Sequence, residues 1–499
     1  MCRTIPQLLS DAASRDPDGT WIRTDDAELT FSAAAHAVGA RVAGLRARGV
    51  RRGDLVALTA RTTPPYLLAW LAITSLGAIA VPMNPASRPA EFAGLLAQTR
   101  PRALITDREG RTAVDVGSTT LVLDVDDLSG ESGVLPTDEA RAEDVACLIP
   151  TSGTTGLSKL VAQTHRAYVM AGEGFPYWMQ LSSADRLMTS LPLFHINAQA
   201  YSSIGSLACG AGLVLLPRFS ASAFLDAARR HGATEFNAIG AMLEILMRQP
   251  QHPNDADNPL RLCYTGPAPE RERQLQIEAR FGIRIVVGYA MSESPYGLIW
   301  PHGARPFGTL GTVRQHPVLG VVNEARVVDD DGHDTDTGEL LLRNPAVTPG
   351  YWDMPEETAA AIDADGWLRT GDLVTRDGEG IFTFVSRKKE VLRRRGENLS
   401  PLEVEEAVAG HPSVVDCAVV GVPSDLSEDE VKAFVVTTGP ADFAALHAWA
   451  AERLAAFKVP RYWQQVASLP RTPTQRVAKH QLPEGHPAEE FDAEQGAIT

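Results

Sequence analysis

A loop of small and hydroxyl-bearing residues between two apolar segments is the first part of the chain that could do chemistry. Residues 149–161 read IPTSGTTGLSKLV. The residues of this loop that could bind a ligand are Thr151, Ser152, Gly153, Thr154, Thr155, Gly156 and Lys159. Converging backbone N–H groups, hydroxyl donors and one ammonium group suit a polyphosphate. A plain turn would use the glycines without needing the hydroxyls and the lysine, and it stays the alternative. The pattern is not the common P-loop, because Ser158 stands where that loop needs its second glycine.

Composition bounds the kinds of partner. With 499 residues and 44% hydrophobic content, the chain can bury several cores. A formal net charge of −16 argues against partners such as nucleic acid or an anionic membrane surface. Five widely spaced cysteines indicate reduced thiols and a cytoplasmic setting, and the N-terminus lacks a secretory signal pattern. The most apolar run, residues 66–81, contains Gly77 and is short for a membrane span, so it predicts a buried helix and then a short strand. The oligomeric state stays open between monomer and homodimer.

The elements that must position the loop alternate along the chain. Strand-like runs at 54–60, 212–217 and 284–290 are separated by helical patterns, which is typical of α/β architecture with layered sheets. Near residue 386 a charge run precedes a helix start, with Ser400 as N-cap, Pro401 at the first position and Glu403 completing a capping box. The predicted fold is therefore α/β. It has a large N-terminal domain of layered sheets and helices (1–385), a hinge (386–390) and a small, mobile α+β C-terminal lid domain (391–499).

Four further segments stand in a fixed order after the opening loop. They are GYAMSES (288–294), WLRTGDLV (367–374), SRKKEVLRRRGENLSPLEVE (386–405) and LPRTPTQRVAK (469–479). Together the five segments resemble the ATP-dependent adenylate-forming superfamily of acyl- and aryl-CoA synthetases, peptide-synthetase adenylation domains and luciferases. The motif wording is closest to CoA ligases of the carnitine/crotonobetaine type. The resemblance covers nearly the whole chain and implies ATP, Mg²⁺ and CoA as cofactors and a small-molecule acid as substrate.

The resemblance assigns the ATP site residue by residue. It implies that the opening loop holds the β- and γ-phosphates, that Glu293, with Thr155, is associated with magnesium, and that Tyr289 stacks on adenine. Asp372 matches the acceptor of the ribose hydroxyls, and Arg387, fifteen residues later, matches a ribose or phosphate contact. The other ATP-binding positions that it implies are Thr265, Gly266, Pro267, Ala268, Gly288, Ala290, Met291, Ser292 and Phe384.

Beyond these positions the resemblance implies a moving lid and an altered tail. Lys389 matches the hinge pivot, and the GEN segment, Gly396, Glu397 and Asn398, matches the CoA tunnel, where a glycine lets pantetheine pass close to the backbone. The family tail ends in Thr/Ser-Gly-Lys, whose lysine bridges the substrate carboxylate and the α-phosphate. This chain has Arg476 at the lysine position, and Lys479 follows three residues on. Either Arg476 supplies the positive charge, which is our preferred interpretation, or Lys479 does, or adenylation is weak.

The segment LPLFHINAQAYS (191–202) resembles the gate and acyl pocket. Amino-acid-activating relatives usually carry an aspartate where this chain has His195, so an α-amino acid substrate is disfavoured. His195 is either a packed gate residue or a group with an acid–base role, and both interpretations stay open. The pocket residues that the resemblance implies are His195, Asn197, Tyr201, Met242 and Ala290. We expect a small, aromatic or polar acid rather than a long fatty acid.

The sequence thus predicts an AMP-forming acid–CoA ligase. It would form an acyl- or aryl-adenylate with ATP and Mg²⁺, release pyrophosphate and transfer the acyl group to CoA. Three alternatives stay open at this point. The acyl group could pass to a carrier protein, the enzyme could activate a non-carboxylate oxyanion such as nitrite for attack by an arylamine, or the chain could be a catalytically weakened nucleotide-binding relative.

Overall fold

The computed structural model of the chain divides into two compact units. It describes residues 3–87, 89–108, 120–131, 133–151, 158–266, 268–269, 271–388, 392–395, 397–399, 401–424, 429–470, 477, 479, 482–483 and 490–498. The first unit comprises Met1–Pro85, Gln98–Pro150 and Lys159–Lys388, and the second comprises Ala86–Ala97, Thr151–Ser158 and Lys389–Thr499. The fold is the predicted α/β fold with a large N-terminal and a small C-terminal domain.

A nine-stranded sheet forms the centre of the first unit. In sheet order its strands are Thr312–Val313, Ser294–Ile299, Arg284–Met291, Leu262–Gly266, Glu235–Ile239, Arg186–Thr189, Gly212–Leu215, Thr20–Arg23 and Glu28–Thr30. The strands from Arg284–Met291 to Thr20–Arg23 are parallel, and the outer ones at both edges run antiparallel. Because parallel strands end at a common edge, this sheet brings the end of the strand Leu262–Gly266 beside the strand Arg284–Met291, which carries most of the GYAMSES segment.

Two further sheets belong to the first unit. A six-stranded sheet has the order Leu121–Asp124, Ala103–Thr106, Leu55–Thr59, Ile79–Pro82, Val145–Thr151 and Lys159–Thr164. A four-stranded antiparallel sheet has the order Glu324–Val328, Thr337–Arg343, Leu368–Arg376 and Phe382–Arg387. The last two strands of the six-stranded sheet, Val145–Thr151 and Lys159–Thr164, flank the opening loop in the chain, and the four-stranded sheet carries the TGD motif (370–372).

Nearly all helices of the first unit bury apolar side chains; the exception among those described is Pro355–Ala361, which has no buried residue. The helices are Ile5–Arg15, Phe31–Ala47, Pro64–Ser75, His165–Met179, Ile204–Cys209, Phe224–His231, Gly240–Arg248, Arg271–Phe281 and Pro355–Ala361, with a π-helix at Asn197–Ser203. The hydroxyl of Thr164 accepts a hydrogen bond from the backbone N of Ala167 at 3.2 Å and so caps the helix that follows it. The apolar run from residue 66 lies in Pro64–Ser75 and continues into the strand Ile79–Pro82, which confirms the predicted helix and strand. Within the described ranges, no helix is long and apolar enough to cross a membrane.

The second unit is a smaller α+β domain. Its five-stranded sheet has the order Val414–Pro423, Asp429–Thr437, Tyr462–Gln465, Phe491–Asp492 and Ala497–Ile498, and a two-stranded ribbon joins Leu392–Arg394 to Glu397–Leu399. The helices Pro401–Ala409 and Phe443–Arg453 pack on this sheet around a core that contains Trp463, and the helix Pro89–Thr99 lies mostly in this unit. Pro401 is the first helical residue, as predicted, whereas its predicted cap, Ser400, lies outside the described residues.

Candidate active site

One tyrosine connects the predicted phosphate-binding lysine to the predicted magnesium-associated glutamate. Glu293 lies in the tight turn between the strands Arg284–Met291 and Ser294–Ile299. The Tyr351 hydroxyl donates a hydrogen bond to Glu293 Oε1 at 2.9 Å, and Lys159 Nζ lies 4.5 Å from the centroid of the Tyr351 ring. Burial raises the pKa of the Tyr351 phenol, and the neighbouring Glu293 carboxylate raises it further, so the phenol stays a donor at neutral pH. Tyr351 lies outside the five motifs, so its sequence context did not identify it as a site residue.

The backbone around Tyr351 explains why these groups meet. Trp352 N donates to Leu160 O at 2.9 Å, so the segment runs along the strand Lys159–Thr164 that follows the opening loop. Thr348 N donates to Glu293 O at 2.7 Å and fixes the turn that carries the glutamate. The segment 348–352 therefore contacts both the turn that carries Glu293 and the strand that begins at Lys159.

The predicted adenine and ribose residues form a second array. The Tyr289 hydroxyl donates to Asp372 Oδ2 at 2.6 Å, and Asp372 is only 2% exposed. Asp372 pairs directly with Arg387 in the register between the strands Leu368–Arg376 and Phe382–Arg387. Residues fifteen positions apart in sequence are therefore directly opposite each other on neighbouring strands.

A buried carboxylate, Glu339, positions the TGD turn. Its oxygens accept hydrogen bonds from Gly371 N at 3.2 Å and from Arg369 Nη1 at 3.2 Å. Lys388, the last residue of the first unit, donates its Nζ to Glu339 at 3.3 Å and its backbone N to Gly371 O at 2.7 Å. Glu339 could not be recognised from the sequence, because only its 5% exposure and its hydrogen-bond partners distinguish it from an ordinary strand residue.

Close approach of neighbouring atoms explains two glycines of the predicted adenine site. A Cβ on Gly266, the last residue of the strand Leu262–Gly266, would lie 2.7 Å from Gly288 O on the neighbouring strand. A Cβ on Gly288 would lie 2.6 Å from the Tyr264 hydroxyl. The other described members of the predicted adenine site lie on the same strands or directly after them; they are Thr265, Ala268, Ala290, Met291 and Ser292.

The predicted acyl-pocket segment is an irregular helix. The π-helix Asn197–Ser203 begins two residues after His195, whose ring centroid lies 4.5 Å from that of Phe194. π-helical turns are frequent at functional sites. Asn237 Nδ2 donates to Asn197 Oδ1 at 2.7 Å, and the buried Tyr201 hydroxyl donates to Pro295 O at 2.8 Å. Met242 is also buried, so the segment is lined by both polar and apolar groups.

Three further predicted site residues lie apart from these arrays, and the structure describes the surroundings of each. Lys479 Nζ forms an ion pair with Glu405 at 2.8 Å within the second unit. Glu397 lies in the two-stranded ribbon, opposite Arg394 in register. Phe384, on the four-stranded sheet, is 43% exposed, which is unusual for a phenylalanine and leaves its ring accessible to a ligand.

Several predicted residues lie outside the described part of the chain. They are Ser152, Gly153, Thr154, Thr155, Gly156, Pro267, Lys389, Gly396 and Arg476. Arg387 and Asn398 are described by their backbone alone. The roles of all these residues stay predictions.

Comparison with known proteins relates the chain to adenylate-forming enzymes. The family model described as AMP-binding enzyme matches residues 9–352, and the AMP-binding enzyme C-terminal domain matches residues 403–476. A sulfoacetate–CoA ligase of Cupriavidus necator is 32% identical, over 96% of this chain and 97% of the relative. A crotonobetaine/carnitine–CoA ligase of Salmonella typhimurium is 31% identical, over 87% of this chain and 89% of the relative.

Solved structures agree in fold over the full length. A double mutant of o-succinylbenzoate CoA synthetase from Bacillus subtilis, bound to a product analogue, has a TM-score of 0.83 at 26% identity, covering 96% of this chain and 98% of the other. ATP-bound MatB from Rhodopseudomonas palustris has a TM-score of 0.71 at 27% identity, covering 96% and 98%.

Proposed function

Because the chain belongs to the AMP-binding enzyme family and is a ligase of the AMP-forming acid–CoA type, we propose that it joins a small polar acid to CoA in two steps. An oxygen of the acid attacks the α-phosphorus of ATP, and pyrophosphate leaves as the acyl-adenylate forms. The CoA thiol then attacks the acyl carbon, loses its proton, and AMP leaves with the electron pair of the broken C–O bond. The observation that carries the proposal is the hydrogen bond from Tyr289 to Asp372, since it joins the adenine and ribose positions in one array.

On the nucleotide, we assign the ring of Tyr289 to adenine and the carboxylate of Asp372 to the ribose hydroxyls. One carboxylate can accept two hydroxyl hydrogen bonds, and the phenol holds it in place. Glu339 acts through the TGD turn and is a positioning residue. The register of Arg387 supports its assignment to the ribose or the adjoining phosphate.

On the phosphates, we assign Lys159 and the opening loop to the β- and γ-phosphates and Glu293 to magnesium. A carboxylate oxygen at a tight turn is the hard donor that Mg²⁺ prefers, and Tyr351 orients it. Bound magnesium would neutralise charge on the phosphates as pyrophosphate leaves. Lys159 and Tyr351 keep their positions through the strand pairing that fixes both.

We propose that Arg476 supplies the positive charge that the family lysine provides in its relatives. The ion pair of Lys479 with Glu405 supports this assignment, because Lys479 would have to give up a carboxylate partner to reach the substrate. Removing one donor to the charge that develops in such a step typically costs about 10²- to 10³-fold in rate.

For the acid, we propose a short chain with a polar or charged group beyond the carboxyl that reacts. The relatives are named for sulfoacetate and for crotonobetaine and carnitine, all of them small acids with a second charged group. The paired Asn197 and Asn237 and the buried Tyr201 support a polar pocket over a long apolar tunnel.

Pyrophosphate release tests the proposal. The chain is incubated with ATP, Mg²⁺ and a panel of short polar, aryl and long-chain acids and nitrite, with and without CoA, and thioester is identified by mass spectrometry. We expect release with short polar acids and thioester only when CoA is present. Arg476→Ala should lower adenylation about 100-fold or more, and Lys479→Ala should retain most of it. ATP binding without release from any acid would refute the proposal, and equal losses in both variants would refute the assignment of Arg476.

A further inference from the structure

A guanidinium group is completely buried in the first unit. Arg314 is 0% exposed and follows the edge strand Thr312–Val313. Its Nε donates to Leu298 O at 3.1 Å, and its Nη2 donates to the Tyr264 hydroxyl. Its Nη1 is buried and makes no hydrogen bond to any described residue. The side chain therefore has a buried N–H donor group, Nη1, that makes no hydrogen bond to a described residue.

The charge of Arg314 has no negative partner within the described chain. A guanidinium stays protonated in proteins, yet no described carboxylate lies within 4.0 Å of it. Its Cζ lies over two tyrosine rings instead, 5.2 Å from the centroid of Tyr201 and 5.6 Å from that of Tyr264. Such cation–π contacts are weaker than the cost of removing a full charge from water.

Two other arginines with little solvent exposure are each paired with a carboxylate. Arg280 pairs with Asp255 at 2.7 Å, and Arg394 pairs with Glu430 at 2.6 Å. Both pairs are nearly inaccessible to solvent, with side chains between 5% and 9% exposed. Arg314 differs from them because its neighbours are aromatic and none of the described carboxylates pairs with it.

The position of Arg314 relates it to the acyl pocket. A Cβ on Gly288, one residue before Tyr289, would lie 2.9 Å from Arg314 Nη2. The Tyr201 hydroxyl donates to Pro295 O, on the strand Ser294–Ile299 that also supplies Leu298 O to Arg314. The Arg314 guanidinium thus lies against the strand Arg284–Met291 and beside Tyr201, a predicted acyl-pocket residue.

We propose that Arg314 binds a second anionic group, a carboxylate or a sulfonate, at the end of the acid opposite the carboxyl that is activated. This inference rests on the proposed function. The planar guanidinium presents parallel N–H donors to a carboxylate or sulfonate, and the ligand supplies the negative charge that no described residue provides there. An acid that ends in a quaternary ammonium is disfavoured, because Arg314 already occupies the tyrosine faces that would attract it and would repel a second cation.

Matched substrate pairs test the inference. Sulfoacetate is compared with tert-butylacetate and succinate with levulinate, so that each pair differs mainly in one negative charge, and γ-butyrobetaine supplies the opposite charge. The readout is kcat/KM for pyrophosphate release in the wild type, Arg314→Met, Arg314→Lys and the control Arg280→Gln, which removes a buried guanidinium that has an acid partner.

We expect the wild type to prefer at least one dianionic acid over its partner by about 30-fold or more, and Arg314→Met to abolish this preference. Arg314→Lys should keep a reduced preference, and Arg280→Gln should keep the full one. The melting temperature of unliganded Arg314→Met should equal or exceed that of the wild type, whereas Arg280→Gln should melt lower because it leaves Asp255 unpaired.

The outcomes distinguish a failure of this inference from a failure of the proposed function. Activity on uncharged or betaine acids with no preference for either dianion, or an unchanged preference in Arg314→Met, would overturn the inference and leave the proposed function standing. No release from any acid would overturn both. If Arg314→Met does not fold, an unchanged preference in Arg314→Lys is enough to overturn the inference. A preference for one dianion alone identifies the group as sulfonate or carboxylate.

Discussion

Removing the hydroxyl of Tyr289 tests the ribose site while sparing the rest of the nucleotide pocket. Tyr289→Phe keeps the ring proposed to stack on adenine and takes away the 2.6 Å hydrogen bond to Asp372 Oδ2. Asp372 is 2% exposed, so water has little access to replace the lost donor. The backbone N of Asp372 still donates to Thr370 Oγ1 at 3.1 Å, so the turn itself should stay in place.

The geometry sets the size of the effect. A hydrogen bond to a charged group contributes about 1.5–3 kcal/mol. Since about 1.4 kcal/mol corresponds to a factor of ten, kcat/KM for ATP should fall about 10- to 150-fold. The contact to ribose is the same in the ground state and the transition state, so we expect the loss in KM for ATP and little change in kcat.

The assay is pyrophosphate release at varied ATP with saturating acid. Tyr177→Phe is the matched control, because Tyr177 is a 44% exposed tyrosine elsewhere in the first unit. Dideoxy-ATP, which lacks both free ribose hydroxyls, completes a double-mutant cycle. If Asp372 accepts those hydroxyls, the Tyr289→Phe penalty should shrink when dideoxy-ATP replaces ATP.

Two results would refute this reasoning. A KM for ATP within about twofold of the wild type in Tyr289→Phe would mean that the phenol does not hold the carboxylate for its ligand. An equal penalty with ATP and dideoxy-ATP would mean that the variant disturbs something other than the ribose contact.

Two other perturbations follow from the described contacts. Tyr351→Phe removes the 2.9 Å hydrogen bond to Glu293 but keeps the ring beneath Lys159, so we expect about a 10-fold fall in kcat/KM and a higher Mg²⁺ requirement, both read from a magnesium titration. An unchanged titration would contradict the orienting role of Tyr351. Burial lowers the pKa of His165 from 6.5 to about 4, and its Nδ1 accepts a hydrogen bond from Ile5 N. The unfolded state therefore takes up the proton first as pH falls, and stability should decline by about 3 kcal/mol between pH 6.5 and 4 through this group. Denaturant unfolding at both pH values measures the loss of stability. His165→Gln should reduce this loss, and an equal loss in the variant and the wild type would mean that another group is responsible.

Local sequence patterns predicted the elements but not all of their ends. The apolar run from residue 66 is long enough to form a buried helix, and the structure has it at Pro64–Ser75. In the second unit, the helix Phe443–Arg453 ends where Leu454 becomes extended and buried, although apolar residues continue at helical spacing to Phe457. The apolar period continues past the helix because those residues also pack in the core, so periodicity alone could not place the helix end.

Long-range contacts explain what the motifs missed. Tyr351 is 58 residues from Glu293, and Glu339 is 32 residues from the Gly371 it holds. Both residues look ordinary in their own segments, since a tyrosine beside a glycine and a glutamate in an alternating strand have many structural uses. Their roles follow only when strand pairing brings the partners together.

Arg314 is the clearest residue whose role depends on long-range contacts, and it links the stability of the protein to its choice of substrate. An arginine is surface-exposed by default, and its burial here depends on Tyr201, Tyr264 and Leu298, which come from three separate parts of the chain. An unpaired charge in the interior weakens the unliganded protein, and an arrangement of this kind persists where function requires it. A ligand that brings the missing negative charge would offset that cost on binding, whereas a neutral acid of the same shape would not. The sign of one buried charge is therefore enough to separate acids that the size and polarity of the pocket would treat alike.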